Sequence, residues 1–168
     1  MKKLLLATAL LGLMTSEGEA TRLGGGDLKK VKATDTHGIP LKYSQHENVK
    51  FTIKSGSEKP TFDSSKMKEA LVVTVDKGTT SRIVDVAFTT TNGYKMLTKG
   101  VTDKAADGVN YTLTVNGTSY NDSVGNDVEI SADKASADIN LVIEIAPNQT
   151  ISVGDYMDTL TLTAATRS

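Results

Sequence analysis

The residue types that carry out chemistry are few in this chain and poorly spaced for it. Its two histidines, His37 and His46, lie in a polar stretch with no partner at ligand spacing, so they read as solvated side chains rather than metal ligands. Cysteine is absent. The glycine loop that cradles phosphates, the nucleophile elbow G-x-S-x-G and the zinc helix H-E-x-x-H are all missing. The serines sit in turn-like segments with no histidine in the part of the chain patterned for folding, which leaves no Ser-His-Asp arrangement. Asp122, Asp127 and Asp133 are carboxylates in turn-rich sequence, at most weak calcium ligands, and solvation on a turn is the ordinary state of such groups. The sequence therefore predicts no enzyme, no metal and no cofactor. N-x-S/T triplets begin at Asn110, Asn116, Asn121 and Asn148, and in a chain rich in Thr and Asn they read as turn chemistry.

What the sequence does offer is backbone recognition, and the clearest candidate is its last alternating run. Gly154 and Asp155 make a small-residue turn. After it, Tyr156, Leu160 and Leu162 share one face, and Met157, Thr159, Thr161 and Thr163 share the other, the pattern of a strand with one buried side. Because the run ends close to the C-terminus, it is expected at or near a sheet edge, where unpaired N–H and C=O groups invite another strand.

The start of the chain reads as an export signal. Lys2 and Lys3 precede LLLATALLGLM, an apolar run too short to cross a bilayer, and the small residues Gly18 and Ala20 follow at the positions a signal peptidase reads. Removing residues 1–20 from the 168 leaves about 148, the size of one domain. At 38% apolar and 23% charged residues over its full length, the chain has enough hydrophobic material for a core and is unlike a disordered one. A formal net charge of -1 gives no basic surplus, so nucleic acid is not an expected partner. An exported chain without disulfides must rely on packing and strand pairing, within itself or with other subunits. Residues 21–48 carry a triple glycine at 24–26, a basic cluster at Lys29, Lys30 and Lys32, and few large apolar residues, which reads as a polar flexible leader, extended or disordered; GDLKKVKA at 26–33 and IPLKY at 39–43 are weak strand candidates, and neither alternates for long.

The pattern sharpens at Val49. Val49, Phe51 and Ile53 face one way and Lys50, Thr52 and Lys54 the other, a half-buried strand ended by Gly56 and Pro60. Pro60 cannot donate to a ladder, which places that junction at a sheet margin. Further strands are predicted over 70–75, 82–90 with Val84, Val86 and Phe88 inward, 109–115, 127–130, and 139–147 with Ile139, Leu141, Ile143 and Ile145 inward. The Asn116-Gly117 pair is a tight-hairpin signal, since both residues tolerate positive φ. The stretch 64–71 offers at most one helical turn. Short strands at regular spacing predict an all-β fold, a sandwich with immunoglobulin-like packing.

On these residues the chain resembles the cysteine-free fimbrial subunits of the bacterial chaperone/usher pathway. The resemblance rests on G-D-Y-x-D-x-L-x-L-T at 154–163, on the alternating NVKFTIKSGSEKPTFD at 48–63, and on the order of signal peptide, polar extension and Thr-rich β domain. It implies an incomplete sandwich over 57–168, completed by donor-strand exchange, with 49–56 as the candidate donor strand. Val49, Phe51 and Ile53 would then enter a neighbour's groove, and Tyr156, Leu160 and Leu162 would line this subunit's own. The implied partners are a periplasmic chaperone, an outer-membrane usher, neighbouring pilin subunits and a host receptor, and the implied location is a surface fimbrium reached through the periplasm. Two competing expectations are a fimbrial tip adhesin, for which Tyr94, Tyr111 and Tyr120 are the available aromatics, and a complete secreted binding domain in which 49–54 pairs at home.

The apolar run and the small residues after it predict cleavage close to Ala20. Mass spectrometry of the exported protein is expected to give a chain starting at or near Thr21, and recovery of intact Met1 would contradict export by this route.

Overall fold

A computed structural model of the chain describes residues 20–23, 37–44, 48–63, 65–79, 81–120, 127–152 and 154–167. The expected signal segment lies outside the described residues except for Ala20, as do His46, Asn121 and Asp122. In chain order the strands are β1 (Ala20–Leu23), β2 (His37–Gly38), β3 (Leu41–Ser44), β4 (Lys50–Ser55), β5 (Thr61–Phe62), β6 (Lys68–Asp76), β7 (Ile83–Thr90), β8 (Lys95–Thr98), β9 (Gly108–Val115), β10 (Thr118–Tyr120), β11 (Val128–Ile130), β12 (Ser136–Ile145), β13 (Gln149–Ser152), β14 (Tyr156–Met157) and β15 (Leu160–Arg167). No described residue is helical, and the weak helix signal at 64–71 gives way to the start of β6.

The strands form two facing sheets and a separate ribbon. The larger sheet has the order β4-β6-β12-β9-β8-β14-β2-β5, with β10 added to β9, the smaller has the order β11-β7-β15-β3, and β1 pairs with β13. Alternation explains the packing. Val84, Val86 and Phe88 of β7 and Ile139, Leu141, Ile143 and Ile145 of β12 are all buried, as their spacing predicts, and they join one hydrophobic cluster between the sheets. The fold is all-β with sandwich-like packing.

Local chemistry sets the turns. Asn116 and Gly117 adopt φ of 49° and 83°, and Thr118 of β10 falls opposite Val115 of β9, the two-residue hairpin that the Asn-Gly pair predicts. Asn116 also holds the hairpin to β12, since its amide donates to the Asn140 carbonyl at 2.8 Å and its side-chain oxygen accepts the Asn140 N–H at 2.9 Å. Pro60 leads into β5, the end strand of the larger sheet, in agreement with its expected place at a margin.

Two placements differ from the sequence expectations. Residues 37–44, read as part of a flexible leader, are two paired strands with His37, Ile39 and Leu41 buried. As a result the last strand is not at an edge: β14 lies between β8 and β2, and β15 between β7 and β3. The candidate donor residues sit in their own domain, where β4 pairs antiparallel with β6, Phe51 opposite Val75 and Ile53 opposite Val73. Val49 and Phe51 are buried there and Ile53 is half-buried.

Gly56 ends β4 after a register shift between Ile53 and Ser55, with φ of 87°. A Cβ placed on it would stand 2.5 Å from Leu71 Cβ and 2.9 Å from the Ala70 carbonyl oxygen, so glycine is needed for both conformation and space. Gly56→Ala is therefore expected to destabilise the fold by roughly 2–4 kcal/mol in denaturant unfolding. At Gly117 nothing lies within 4 Å of the added Cβ, and Gly117→Ala is expected to cost about 1 kcal/mol.

Candidate functional site

The strip along β14 and β15 is the candidate site, and its occupant comes from the other end of the chain. β2 runs parallel to β14, with His37 opposite Tyr156 and Gly38 opposite Met157. β3 runs parallel to β15, with Leu41 opposite Leu160 and Tyr43 opposite Leu162. Across the other side β2 pairs antiparallel with β5. Between the two ladders the hydrogen bonds alternate in direction. The Asp158 and Leu160 amides donate to the carbonyls of Gly38 (3.1 Å) and Pro40 (3.2 Å), while the Ile39 and Leu41 amides donate to the carbonyls of Pro60 (3.1 Å) and Glu58 (2.9 Å). Residues 38–41 are thus a central strand, hydrogen-bonded on both flanks. Pro40 fits because its carbonyl suffices for this ladder.

Side chains seal the strip. Ile39 and Leu41 enter the core beside Leu160 and Leu162, and Phe62 is buried on the flanking strand. His37 meets the Tyr156 ring edge-on at 5.3 Å, and Tyr43 stacks on Phe51 at 5.1 Å. That stack closes the seam where β3 and β4 are neighbours without being paired. Burial, reinforced by the charge of Glu58, pushes the Tyr43 phenol up to about 12, so it stays neutral at every physiological pH.

Tyr156, Leu160 and Leu162 are buried along the strip, beside residues 37–44. Val49, Phe51 and Ile53 lie apart from it, on and before β4, which pairs with β6 of the same chain. Within the same fold Phe51 contributes its ring to the seam and Val49 joins the core. The residues in the strip are Ile39, Leu41 and Tyr43, which the sequence offers only as a weak strand with no assigned place; their alternation, interrupted in appearance by Pro40, is the available signal.

Asp158 fixes the point where the last strand leaves one sheet for the other. It lies in the gap between β14 and β15, 3% exposed. Its Oδ2 accepts the Tyr111 hydroxyl at 2.8 Å, and its Oδ1 accepts the amides of Asn92 (3.0 Å) and Thr159 (2.7 Å). Burial pushes its carboxyl above the usual range, against the pull of those donors and of the Lys104 charge. Tyr111 is raised in turn, first by burial and then by the Asp158 charge. The pair is a structural pin at a chain crossover.

The other sequence candidates lie elsewhere. Asp133 is exposed in the turn before β12, and Asp127 accepts only a long contact of 3.4 Å from the Tyr120 hydroxyl. Among the described residues no three His, Asp or Glu side chains gather where they could hold a metal ion. The aromatics considered for an adhesin pocket belong to the interior. Tyr111 and Tyr120 are buried, Tyr94 is half-buried against Tyr111 at 5.8 Å, and Tyr120 packs on Phe88 while its hydroxyl accepts the Phe88 amide. No protein-family model matches this chain, and no curated protein matches it.

Asp158 gives a test with a definite sign. Its folded pKa is raised above the unfolded value, so the native state gains stability from this group as pH falls through the folded pKa and loses it as pH rises above. Asp158→Asn keeps the shape and removes the titration. The stability of the wild type relative to Asp158→Asn is therefore expected to improve between pH 7 and about pH 4. Asp158→Ala strands the Asn92 amide and the Tyr111 hydroxyl and is expected to cost about 2–4 kcal/mol in denaturant unfolding.

Proposed function

We propose that this chain is a structural subunit of a surface fimbria, exported through the periplasm and assembled by exchange of a strand between copies, and that the exchanged strand is residues 37–44. The observation that carries the reading is that a segment from near the start of the chain lies in the strip beside the last strand, hydrogen-bonded on both flanks, with Ile39 and Leu41 as its buried side chains. Without it the Leu160 and Leu162 side chains would be uncovered, and the backbone groups of residues 58, 60, 158 and 160 would lose their partners. Apolar surface and open strand edges of this kind promote association. A second copy of 37–44 offers the same residues to the same strip, and its addition builds a chain of subunits. The resemblance at 154–163 to chaperone/usher pilins supports the same conclusion. On this reading 37–44 is the donor in place of Val49, Phe51 and Ile53; what supports the choice is the pairing of β4 with β6 in its own chain.

On this reading the sandwich is immunoglobulin-like and incomplete by one strand, and a periplasmic chaperone covers the strip until an outer-membrane usher brings the next subunit. The reading assigns no catalytic step to any residue. The second reading, a complete secreted domain, is favoured by the fact that 37–44 fills the strip of its own chain.

The mature chain lacking residues 21–44 separates the two. Strand exchange predicts that this variant aggregates alone, and that a synthetic peptide covering 36–46 rescues it as a one-to-one complex of raised Tm, whereas the same peptide with Leu41→Asp does not, since an unpaired carboxylate in the strip costs several kcal/mol. A truncated chain that is monomeric and unfolds cooperatively without the peptide would rule the exchange mechanism out.

A further inference from the structure

Val101 and Met157, 40% and 43% exposed, are the large apolar side chains left open to solvent among the described residues, and both line one cleft of about 330 Å³. That volume lies at the lower end of the roughly 300–1,000 Å³ of small-molecule sites. The cleft adjoins the covered strip, since Met157 pairs with Gly38. It opens where the loop after β7, the loop after β8 and the crossover from β14 to β15 meet.

Its polar groups have one bias. Lys99 and Lys104 are both lining residues, and the Lys104 charge already acts on Asp158. The carboxylate in the wall, Asp158, is 3% exposed and has both oxygens engaged, by Tyr111 on one and by Asn92 and Thr159 on the other, so it anchors the floor. Threonine hydroxyls from the ends of β7, β8 and β14 complete the rim. The cleft therefore offers cationic donors and hydroxyls around an apolar wall. A complementary ligand is anionic, rich in acceptors, and carries one face of C–H groups to lie on Met157 and Val101.

We propose that this cleft is a binding site for a carboxylated sugar unit. The ring's C–H face lies on Met157 and Val101, its carboxylate is held by Lys99 and Lys104, and its hydroxyls meet the threonine rim. A sugar acid combines these features in one ring, where a simple carboxylate lacks the apolar face and a neutral sugar lacks the charge. Met157 and Asp158 are held by Gly38, so the cleft needs 37–44 in place, whichever copy supplies it, and the test uses the chain that contains that segment.

The test titrates isotope-labelled, folded mature chain with sodium glucuronate, glucose and sodium acetate at fixed ionic strength, following backbone amide resonances. Glucuronate is expected to give saturable shifts centred on residues 91–92, 98–104 and 157–159, with acetate at least tenfold weaker and glucose giving no saturable shift. Lys99→Gln and Lys104→Gln are each expected to weaken glucuronate about tenfold, the scale of one charge-assisted hydrogen bond. Met157→Ser is expected to weaken glucuronate while leaving acetate unchanged. Acetate binding as tightly as glucuronate would reduce the cleft to a plain anion site. Equal binding of glucose, the absence of a saturable glucuronate shift, or shifts centred elsewhere would each overturn the proposal.

Discussion

The pairing of the C-terminal strand is the constraint on which the rest of this molecule depends. Its first half, β14, belongs to the larger sheet and its second half, β15, to the smaller, so one continuous run is built into both layers. The companion segment makes the same crossing in step, β2 with β14 and β3 with β15, changing sheets at Ile39 and Pro40. Two adjacent strands that cross together hold the layers at a fixed offset. The crossover breaks the ladder at Asp158 and Thr159, and a break inside a core leaves backbone donors that must find acceptors. Asp158 supplies them: one carboxylate oxygen takes two amides and the other ties the site to β9 through Tyr111. The burial of an acid is tolerated there because the alternative is several orphaned polar groups.

The same geometry explains why 37–44 differs in kind from β4, although both precede the main body of the fold. β4 is an edge strand with one ladder, to β6, and it sends Val49 and Phe51 into the core while Lys50 and Lys54 point to water. Lysines on an edge discourage further pairing. Residues 38–41 have two ladders and lie in a slot with a wall on each flank. Withdrawing β4 would cost one ladder at the margin, whereas withdrawing 37–44 would open the seam between the sheets along its whole length. An empty slot would leave the groups on both flanks without their ladder partners.

Much of the fold was legible in the sequence, and the reasons for the remainder are specific. β7, β9, β12 and β15 alternate strictly over many residues, so their inward faces were readable, and Asn116-Gly117 announced its hairpin. The segment 37–44 was hidden because it has three apolar positions, separated in part by Pro40, among polar neighbours. A proline normally demotes a strand to an edge, and here the slot tolerates it through its carbonyl alone. For Val49, Phe51 and Ile53 the sequence left the covering surface open between a neighbour's groove and their own core. Alternation reports that one face is buried and is silent about which surface covers it. Tyr94, Tyr111 and Tyr120 carry the same ambiguity, since an aromatic at the end of a strand reads equally as a surface platform or a core ring. Asp158 could not be recognised at all, because nothing local distinguishes a carboxylate that caps a buried crossover from one that faces solvent.

The order in which contacts can form bears on how such a chain avoids trouble. β6 pairs with β12, and β7 with β15, only after long loops have closed, and the slot exists only once β15 is in place. Its occupant comes from the opposite end of the sequence, so Leu41 meets Leu160 through one of the most distant pairings in the molecule. Distant pairings form late because chain entropy must be lost before the contact compensates for it. Whenever residues 37–44 are undocked while Leu160 and Leu162 are aligned, the strip between them and residues 58–62 is open. Any extended segment of suitable apolar alternation then competes for it, whether it belongs to the same chain, to another copy or to a protein that shields the strip. A strip filled by a pairing this distant in sequence is therefore open to completion by a partner.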